Sequence, residues 1–557
     1  MLEKVYELSE VFGSDDTPKA LRIATLPERD EGYLVVLNLD LERYEGLKFF
    51  QTKALGRRLL YVKFTGNISA WPCPTINLQG DDKNEKNDKD SVSKVLERFI
   101  NFFDNELTLP IHRVLKDYYD SIYSDILNIP PKERKRNVLS VSVIEDGLEK
   151  LPADHEGIST VFLERFFDHK ERGKTGCFMC GKPVVSYPQM NKVFKFATFD
   201  KPAFTPGLRG KVAGGNVLSI CDDCLARLVE GRNVVEERLS FRFFGDTLWI
   251  IPSGPKRTLE RFARDLEKTD IFKRSELKNF TITERGLEKR LGESENLDYD
   301  FIVLSISKNE EKLLLHVSEI PPSRFRKIVE TSEEFKNDPY GVDPTLATLA
   351  QMYKSPKSRE FGKTDFYKLV RSIYSGQEYS KNVFLTYVMR WIRSQLLGSD
   401  ILKNLKFVGS NAFFSYIYLI RLGVIRGGDR VRGESFFEKY SDFFDHPWKK
   451  AVFLIGVLSG YLINYQSVTR GGTPFVKKFK GLKMRKEDVQ SLMSEIKFKM
   501  MQYKIESADL DSLLENASRY MIEAGDWKAG VDEINFVFTV GMSMFRRFTG
   551  GVEYEEE

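Results

Sequence analysis

Along the first third of the chain the period of the apolar positions changes repeatedly. "GYLVVLNLDL" (Gly32 to Leu41) and "RLLYVKFTGN" (Arg58 to Asn67) carry the apolar, β-branched and aromatic content of strands. "SKVLERFINFFDNEL" (Ser93 to Leu107) instead repeats its apolar residues at helical spacing. Strand-like and helix-like runs alternate, which predicts a mixed α/β unit. Further on, "LSFRFFGDTLWIIPSG" (Leu239 to Gly254) and "DFIVLSISKNEEKLLLHVSEI" (Asp300 to Ile320) read as hairpins, the second turning at Lys308 to Glu311. From about Pro344 helical periods take over, as in "KNVFLTYVMRWIRSQLL", "HPWKKAVFLIGVLSGYLINYQ" and "KEDVQSLMSEIKFKMMQY". The predicted fold class is α+β: a mixed α/β N-terminal region over 1–165, a metal-binding insertion over 166–235, a β-rich continuation of the N-terminal body over 236–343, and a helical bundle over 344–557.

Composition narrows the class. A chain of 557 residues exceeds what one core can hold, since cores stop growing near about 250–300 residues. Hydrophobic residues make up 41% and aromatics 13%, with 42 Phe, which is too apolar for a disordered chain. The opening "MLEKVYELSEVFG" lacks a basic segment followed by an apolar one, so no secretory signal is expected. The longest apolar run, Ala451 to Ile463, is shorter than the roughly 20 residues that cross a bilayer. A soluble, cytoplasmic protein without a membrane partner is therefore expected, in a setting where paired cysteines bind metal more often than they form disulfides.

The net charge of +4 comes from 85 basic and 81 acidic residues, so any nucleic-acid contact must rest on local patches. "GDDKNEKNDKDS" (Gly80 to Ser91) reads as a charged, solvated loop and the closing "EYEEE" as a solvated tail.

Four of the five cysteines form two C-x-x-C pairs, Cys177 with Cys180 and Cys221 with Cys224. Each such turn lets two thiolates converge on one metal, and two turns together complete a tetrahedral shell for a structural Zn²⁺. Gly176 and Gly181 flank the first pair, as a tight knuckle requires. Free thiols, a redox pair or an iron–sulfur cluster are the other readings of the same residues. Cys73 is left over as a buried thiol.

Catalytic patterns are sparse. The five histidines, His112, His155, His169, His316 and His446, are not spaced to share a helix face, and phosphate-binding, nucleophile-elbow and dinucleotide fingerprints are missing. Asp200, Asp222 and Asp223 lie near the cysteines and keep a carboxylate-metal nuclease open as an alternative, but a non-enzymatic protein is expected. Binding chemistry remains. Arg426, Arg430 and Arg432, then Arg470, Lys477, Lys478, Lys480, Lys483, Arg485 and Lys486, lie in inter-helix stretches, with Phe475 and Phe479 among them. Cations neutralise phosphates and aromatic rings stack on bases, although a solvated helix boundary has the same composition. Between the cysteine pairs, "TPGLRGKVAGGNV" offers Arg209, Lys211 and Asn216 on a glycine-rich segment able to approach a groove closely.

These residues resemble a known family. "CFMCGK", "VFKFATFDKPAF" (Val193 to Phe204), "ICDDCLARLVEGR" and "FRFFGDTLWIIP" are similar to the Csh family, large subunits of CRISPR type I-B Cascade complexes of the Cas eight-b type. "WKKAVFLIGVLSGYLINYQ", "TPFVKKFKGLKM" and "EIKFKMMQY" are similar to that family's helical end, whereas the first 150 residues carry the resemblance loosely. The resemblance implies a non-catalytic subunit of a CRISPR RNA-guided complex. Such a subunit inspects duplex DNA for a protospacer-adjacent motif, aids R-loop formation, holds the displaced strand and helps recruit a helicase-nuclease. Implied partners are the Cascade backbone and other subunits, the CRISPR RNA and the target DNA. A zinc-containing nuclease and a free-standing single-strand-binding protein are the alternatives.

Overall fold

The computed structural model describes residues 1–13, 16–27, 29–62, 73–167, 171–187, 193–196, 219–268, 280–307, 310–336, 342–354, 362–396, 401–427 and 436–549. The chain is mixed α+β and divides into two compact units, one of Met1–Leu277 with Tyr299–Leu313 and one of Lys278–Asp298 with Leu314–Glu557.

In the first unit, β1 (Glu31–Asn38), β2 (Arg43–Gln51), β3 (Ile76–Asn77) and β4 (Asn137–Glu145) form a sheet in the order β2-β1-β4-β3, and β5 (Leu148–Lys150) pairs with β4. β1 runs antiparallel to β2 and parallel to β4. β4, "NVLSVSVIE", is buried over its first seven residues, as an interior strand covered on both faces must be. Leu34, Phe50, Leu59, Val138 and Leu151 close a core against this sheet. Arg58 to Asn67 does not extend it as expected. Gly56–Leu59 is a 3₁₀ helix, Leu60 turns left-handed at φ 50°, and Tyr61 makes an isolated bridge to Thr25, while residues 63–72 lie outside the described ones.

The helix Glu85–Phe102 buries Val92, Leu96, Phe99 and Ile100, and its start is capped by the Asn84 side chain, which accepts from the Asn87 amide. The stretch expected as a charged loop thus supplies the cap and the first helical turns. Asp88, only 6% exposed, pairs with Arg134, only 1% exposed. The neutralising charge stands 46 positions away, which no local pattern reveals.

Both expected hairpins form. β8 (Ser240–Phe243) and β9 (Asp246–Ser253) turn through Phe244 and Gly245 at φ 49° and 87°, the pair of positive values that a two-residue I′ turn needs. β10 (Asp298–Ile306) and β11 (Glu311–Ile320) complete a sheet in the order β11-β10-β9-β8. β11 carries the chain from the first unit into the second.

The helices Phe280–Glu293 and Pro322–Lys336, which fall inside the segment 236–343, belong to the second unit, because their buried faces are completed by later helices. Phe325 meets Tyr374 with ring centres 5.8 Å apart, and the Arg285 guanidinium lies 5.8 Å from the Tyr418 ring. The centre of this unit is the helix Pro447–Arg470, which is apolar on every side because it is covered on every side. It is long and apolar enough to cross a membrane by composition, yet 83% of its most apolar window is buried by neighbouring helices. Gly456 and Gly541 let its backbone touch that of Val531–Ser543: an added Cβ would stand 2.1 Å from the Phe538 carbonyl oxygen and 1.9 Å from that of Phe453.

A buried polar cluster also holds this unit together. Arg285 donates to Glu288 at 2.8 Å and to the Pro344 carbonyl at 2.6 Å, Tyr374 donates to Glu288 at 2.8 Å, and the Leu346 amide donates to Glu284 at 2.9 Å. Burial, then the neighbouring Glu288 charge, pushes the Glu284 carboxyl up to about 8. A carboxyl raised on folding stabilises the fold fully below its unfolded value near 4.5, and that contribution is lost as pH rises through about 8. Glu284→Gln removes the titration. Its unfolding free energy is therefore expected to gain roughly 1.4 kcal/mol on the unaltered protein for each pH unit in that window, for example from pH 6 to pH 7 in denaturant melts. A constant gap would mean that Glu284 ionises freely in the fold.

Candidate metal centre and nucleic-acid interface

The cysteine centre belongs to the first unit. β6 (Glu171–Gly176) and β7 (Pro183–Tyr187) form a hairpin whose tip carries the first pair. The Cys177 amide donates to the Lys182 carbonyl and the Gly181 amide to the Cys177 carbonyl, each at 2.8 Å, which folds the tip into a knuckle. Gly181 sits at φ 73°, where a side chain would be strained; Gly176 has no such conformation. The second pair opens a helix. Cys221 is the N-cap of Asp222–Arg238, with Cys224 in its first turn. Hydrogen bonds clasp the halves: the Phe178 amide donates to the Ser219 carbonyl at 2.9 Å, the Ser219 hydroxyl to the Gly176 carbonyl at 2.5 Å, and the Cys221 amide to the Cys177 sulfur at 3.4 Å.

All four sulfurs lie within 4.8 Å of one another, and those of Cys180 and Cys221 are 3.7 Å apart. Metal–sulfur bonds of about 2.3 Å in a tetrahedron place sulfurs about 3.8 Å apart, so the set fits a single ion. Its protonation chemistry also fits. Burial pushes the Cys177 thiol up, but the amides of Cys221, Cys180 and Met179 point at its sulfur and bring it down to about 7. Burial, then hydrogen bonds and charge from the other cysteines, pushes Cys224 far up. Several thiolates can therefore share this space only with a cation among them. Asp223, one of the nearby acids, is committed to Lys19 at 2.6 Å, and Asp200 lies outside the described residues. Cys73 is buried.

The helix behind the second pair is seated by Gly231, where a Cβ would come within 1.9 Å of the Val5 carbonyl oxygen on the helix Leu2–Phe12. Two turns from the cysteines stands Arg232, which the sequence reading missed. It bonds Glu236 at 2.7 Å, Glu311 at 2.5 Å and the Val193 carbonyl, and its guanidinium lies 5.2 Å from the Trp249 ring and 5.6 Å from that of Phe194. Val193 and Phe194 belong to the insertion between the cysteine pairs, so this arginine ties the insertion to the body. The available signal was its place at helical spacing from Leu225, Leu228 and Val235, among buried apolar positions.

The predicted DNA contacts fare unevenly. Arg209, Lys211, Asn216, Arg430 and Arg432 lie outside the described residues. Arg426 is exposed and pairs with Glu378 at 2.9 Å. In the second unit, Phe475 and Phe479 are core residues of the 3₁₀ helix Pro474–Phe479, and Phe479 packs 5.0 Å from Phe538, so neither can stack on a base. Lys478 pairs with Glu495 at 2.9 Å, Lys480 with Asp488 at 2.6 Å and Lys486 with Asp526 at 2.6 Å. Lys477, Lys483 and Arg485 remain exposed on the same stretch. The basic run is thus partly neutralised by Asp488 and Glu495 of the helix that follows it and by Asp526, just past the end of the next helix.

Another surface has more of the required chemistry. Tyr465 and Tyr503 stack at 5.6 Å, Gln466 donates to the Tyr503 hydroxyl at 2.8 Å, and the Arg470 guanidinium lies 4.4 Å from the Tyr503 ring. The Lys499 amine is 5.7 Å from the same ring and 6.0 Å from that of Phe498. Phe498 is 66% and Met501 71% exposed, one helical turn apart on Lys486–Gln502. Among the described residues no acidic side chain pairs with Arg470, Lys497, Lys499 or Lys504.

Among curated proteins, none matches the chain. Residues 174–320 match the central domain, and residues 344–556 the C-terminal domain, of the CRISPR-associated protein TM1802 (cas_TM1802). The first match takes in the cysteine centre, Arg232 and both later hairpins; the second takes in the Tyr465–Tyr503 surface. Together they span more than half of the chain, which carries the central and C-terminal domains of the CRISPR-associated TM1802 family and belongs to that family.

Proposed function

We propose that this protein is the non-catalytic large subunit of a type I-B Cascade, acting on double-stranded DNA in the cytoplasm. In this reading the CRISPR RNA pairs with the target strand and reads the long sequence. The protein reads only a short protospacer-adjacent motif, aids opening of the duplex and retains the displaced strand. Its partners are the Cascade backbone, the other Cascade subunits, the CRISPR RNA and a recruited helicase-nuclease. The metal is zinc, and it is structural, because four thiolates fill a tetrahedral shell and leave no position for substrate. The segment from Thr205 to Val217, with Arg209, Lys211 and Asn216, reads the duplex motif, and the cysteine pairs tether the chain on either side of it.

The observation that carries the reading, beside the family, is the Tyr465–Tyr503 surface. Arg470 and Lys499, without acidic partners among the described residues, lie over the stacked tyrosines and an exposed Phe498, and Lys497 and Lys504 flank Phe498 and Tyr503 in the chain, which suits a strand that offers phosphates to the cations and bases to the rings. Gel shifts of the purified full chain on duplex and single-stranded DNA, over a salt series with and without Mg²⁺, test it. Salt-sensitive binding of both forms without cleavage is expected. Mg²⁺-dependent cleavage would make the protein a nuclease, and tight binding of single strands alone would make it a free-standing strand binder.

A further inference from the structure

In the first unit, the helix Lys256–Lys268 follows β9. Its residues Leu259, Phe262 and Ala263 are buried: the helix packs against Leu2–Phe12, and Phe262 meets Tyr299 with ring centres 6.0 Å apart. The opposite face is a cationic stripe. At 3.6 residues per turn, Arg257, Arg261 and Arg264 fall within about 60° of arc on the side away from the buried residues, and Glu260 and Asp265 fall on the two flanks of that arc. Lys256, Arg257, Arg261 and Arg264 are all exposed, and among the described residues none of them has an acidic partner. Glu260 stands four positions after Lys256 and four before Arg264, the spacing at which helical ion pairs form, and it pairs with neither. The first turn also carries Lys256 and Arg257 with no acid, which opposes the helix dipole. These charges therefore do little for the helix itself; they raise the positive field that it presents to a polyanion.

We infer that the stripe of Arg257, Arg261 and Arg264 grips the phosphate backbone of duplex DNA. This rests on the DNA-binding reading and adds to it a duplex contact in the first unit, where the strand surface of Tyr465 and Tyr503 belongs to the second. Arg257 and Arg264 are seven positions apart, about 10 Å along the helix axis, which matches three nucleotides of one duplex strand at about 3.4 Å each. Guanidinium forks bind phosphate oxygens in bidentate fashion. The single aromatic residue of the helix, Phe262, is buried, so the stripe has no ring on which an unpaired base could stack. A duplex needs none, because its bases are stacked on one another. A lipid surface is the other polyanion that basic amphipathic helices meet, but it takes up the apolar face, and here that face is buried in the protein.

The test titrates duplex and single-stranded DNA of one sequence with the full chain over a salt series. In the triple variant Arg257→Ala, Arg261→Ala, Arg264→Ala, duplex affinity should fall about a hundredfold near physiological salt. Its logarithmic salt dependence should flatten by about 0.9 per lost contact, close to three units, while single-strand affinity changes by less than about threefold. Alanine is the best helix former, and thermal melts verify that the variant folds. Lysine at the same three positions returns the charge and should restore most of the slope. The triple variant Lys478→Ala, Lys480→Ala, Lys486→Ala removes the same charge elsewhere and should change the duplex slope by less than about one unit. An unchanged duplex slope in the arginine variant, or an equal loss on duplex and single strand, would overturn the duplex grip and leave the proposed function standing. Failure of the unaltered chain to bind any DNA would overturn both. Binding of the unaltered chain to phosphatidylserine vesicles that the arginine variant loses, with its duplex binding intact, would assign the stripe to a lipid surface and overturn the inference.

Discussion

Cys177→Ser is expected to cost the protein its metal and the order of its insertion. A serine hydroxyl does not ionise near neutral pH, so the set falls to three thiolates. The substitution also removes the sulfur toward which the amides of Cys221, Cys180 and Met179 point, and which they make easier to ionise against its burial. Structural zinc binding is worth about 10–16 kcal/mol, so one ligand in four carries roughly 3 kcal/mol and its loss weakens binding at least a hundredfold. Without the ion, the hairpin tip and the start of the helix Asp222–Arg238 keep the Ser219 bonds but lose the centre that fixes all four sulfurs together, so their ends are expected to loosen. Elemental analysis should show about one zinc per chain in the unaltered protein and little in the variant, and limited proteolysis should then cut between the cysteine pairs. Cys73→Ser is the control, since that thiol lies outside the four-sulfur set and should leave metal content unchanged. A Cys177→Ser protein that keeps stoichiometric metal would remove Cys177 from the ligand set.

Replacing Arg470, Lys497, Lys499 and Lys504 together by Ala is expected to weaken single-strand binding roughly a hundredfold near physiological salt. It should also flatten the logarithmic salt dependence by about 0.7 per lost phosphate contact, close to three units in all. The matching triple variant at Lys478, Lys480 and Lys486 should change the slope by less than one unit, because those amines already face Glu495, Asp488 and Asp526. Phe498→Ala separates stacking from charge. It should cost about 1–3 kcal/mol of strand affinity at every salt concentration and leave the slope alone. If the paired lysines rather than the unpaired ones set the slope, the strand follows the basic run and the Tyr465–Tyr503 surface serves another purpose.

Much of this protein follows from local pattern. The two later hairpins, the long C-terminal helices and the two C-x-x-C turns are written in spacing, because strand, helix and C-x-x-C turn are each set by neighbours a few positions apart, whereas the meeting of the two turns, 41 positions apart, is a tertiary fact. What tertiary structure decided are the pairings between distant residues. Asp88 looked like part of a solvated charge run until Arg134 was placed beside it. Phe475 and Phe479 looked available to bases until the fold buried both, Phe479 against Phe538 and Phe475 against Phe479. Lys478, Lys480 and Lys486 looked free until Glu495, Asp488 and Asp526, further along the chain, were placed beside them, and Lys497, Lys499 and Lys504 lie beyond the run and draw significance only from Tyr465 and Tyr503 meeting in space. A charge or a ring acts through what it faces in space, and a one-dimensional pattern records only what it follows in the chain.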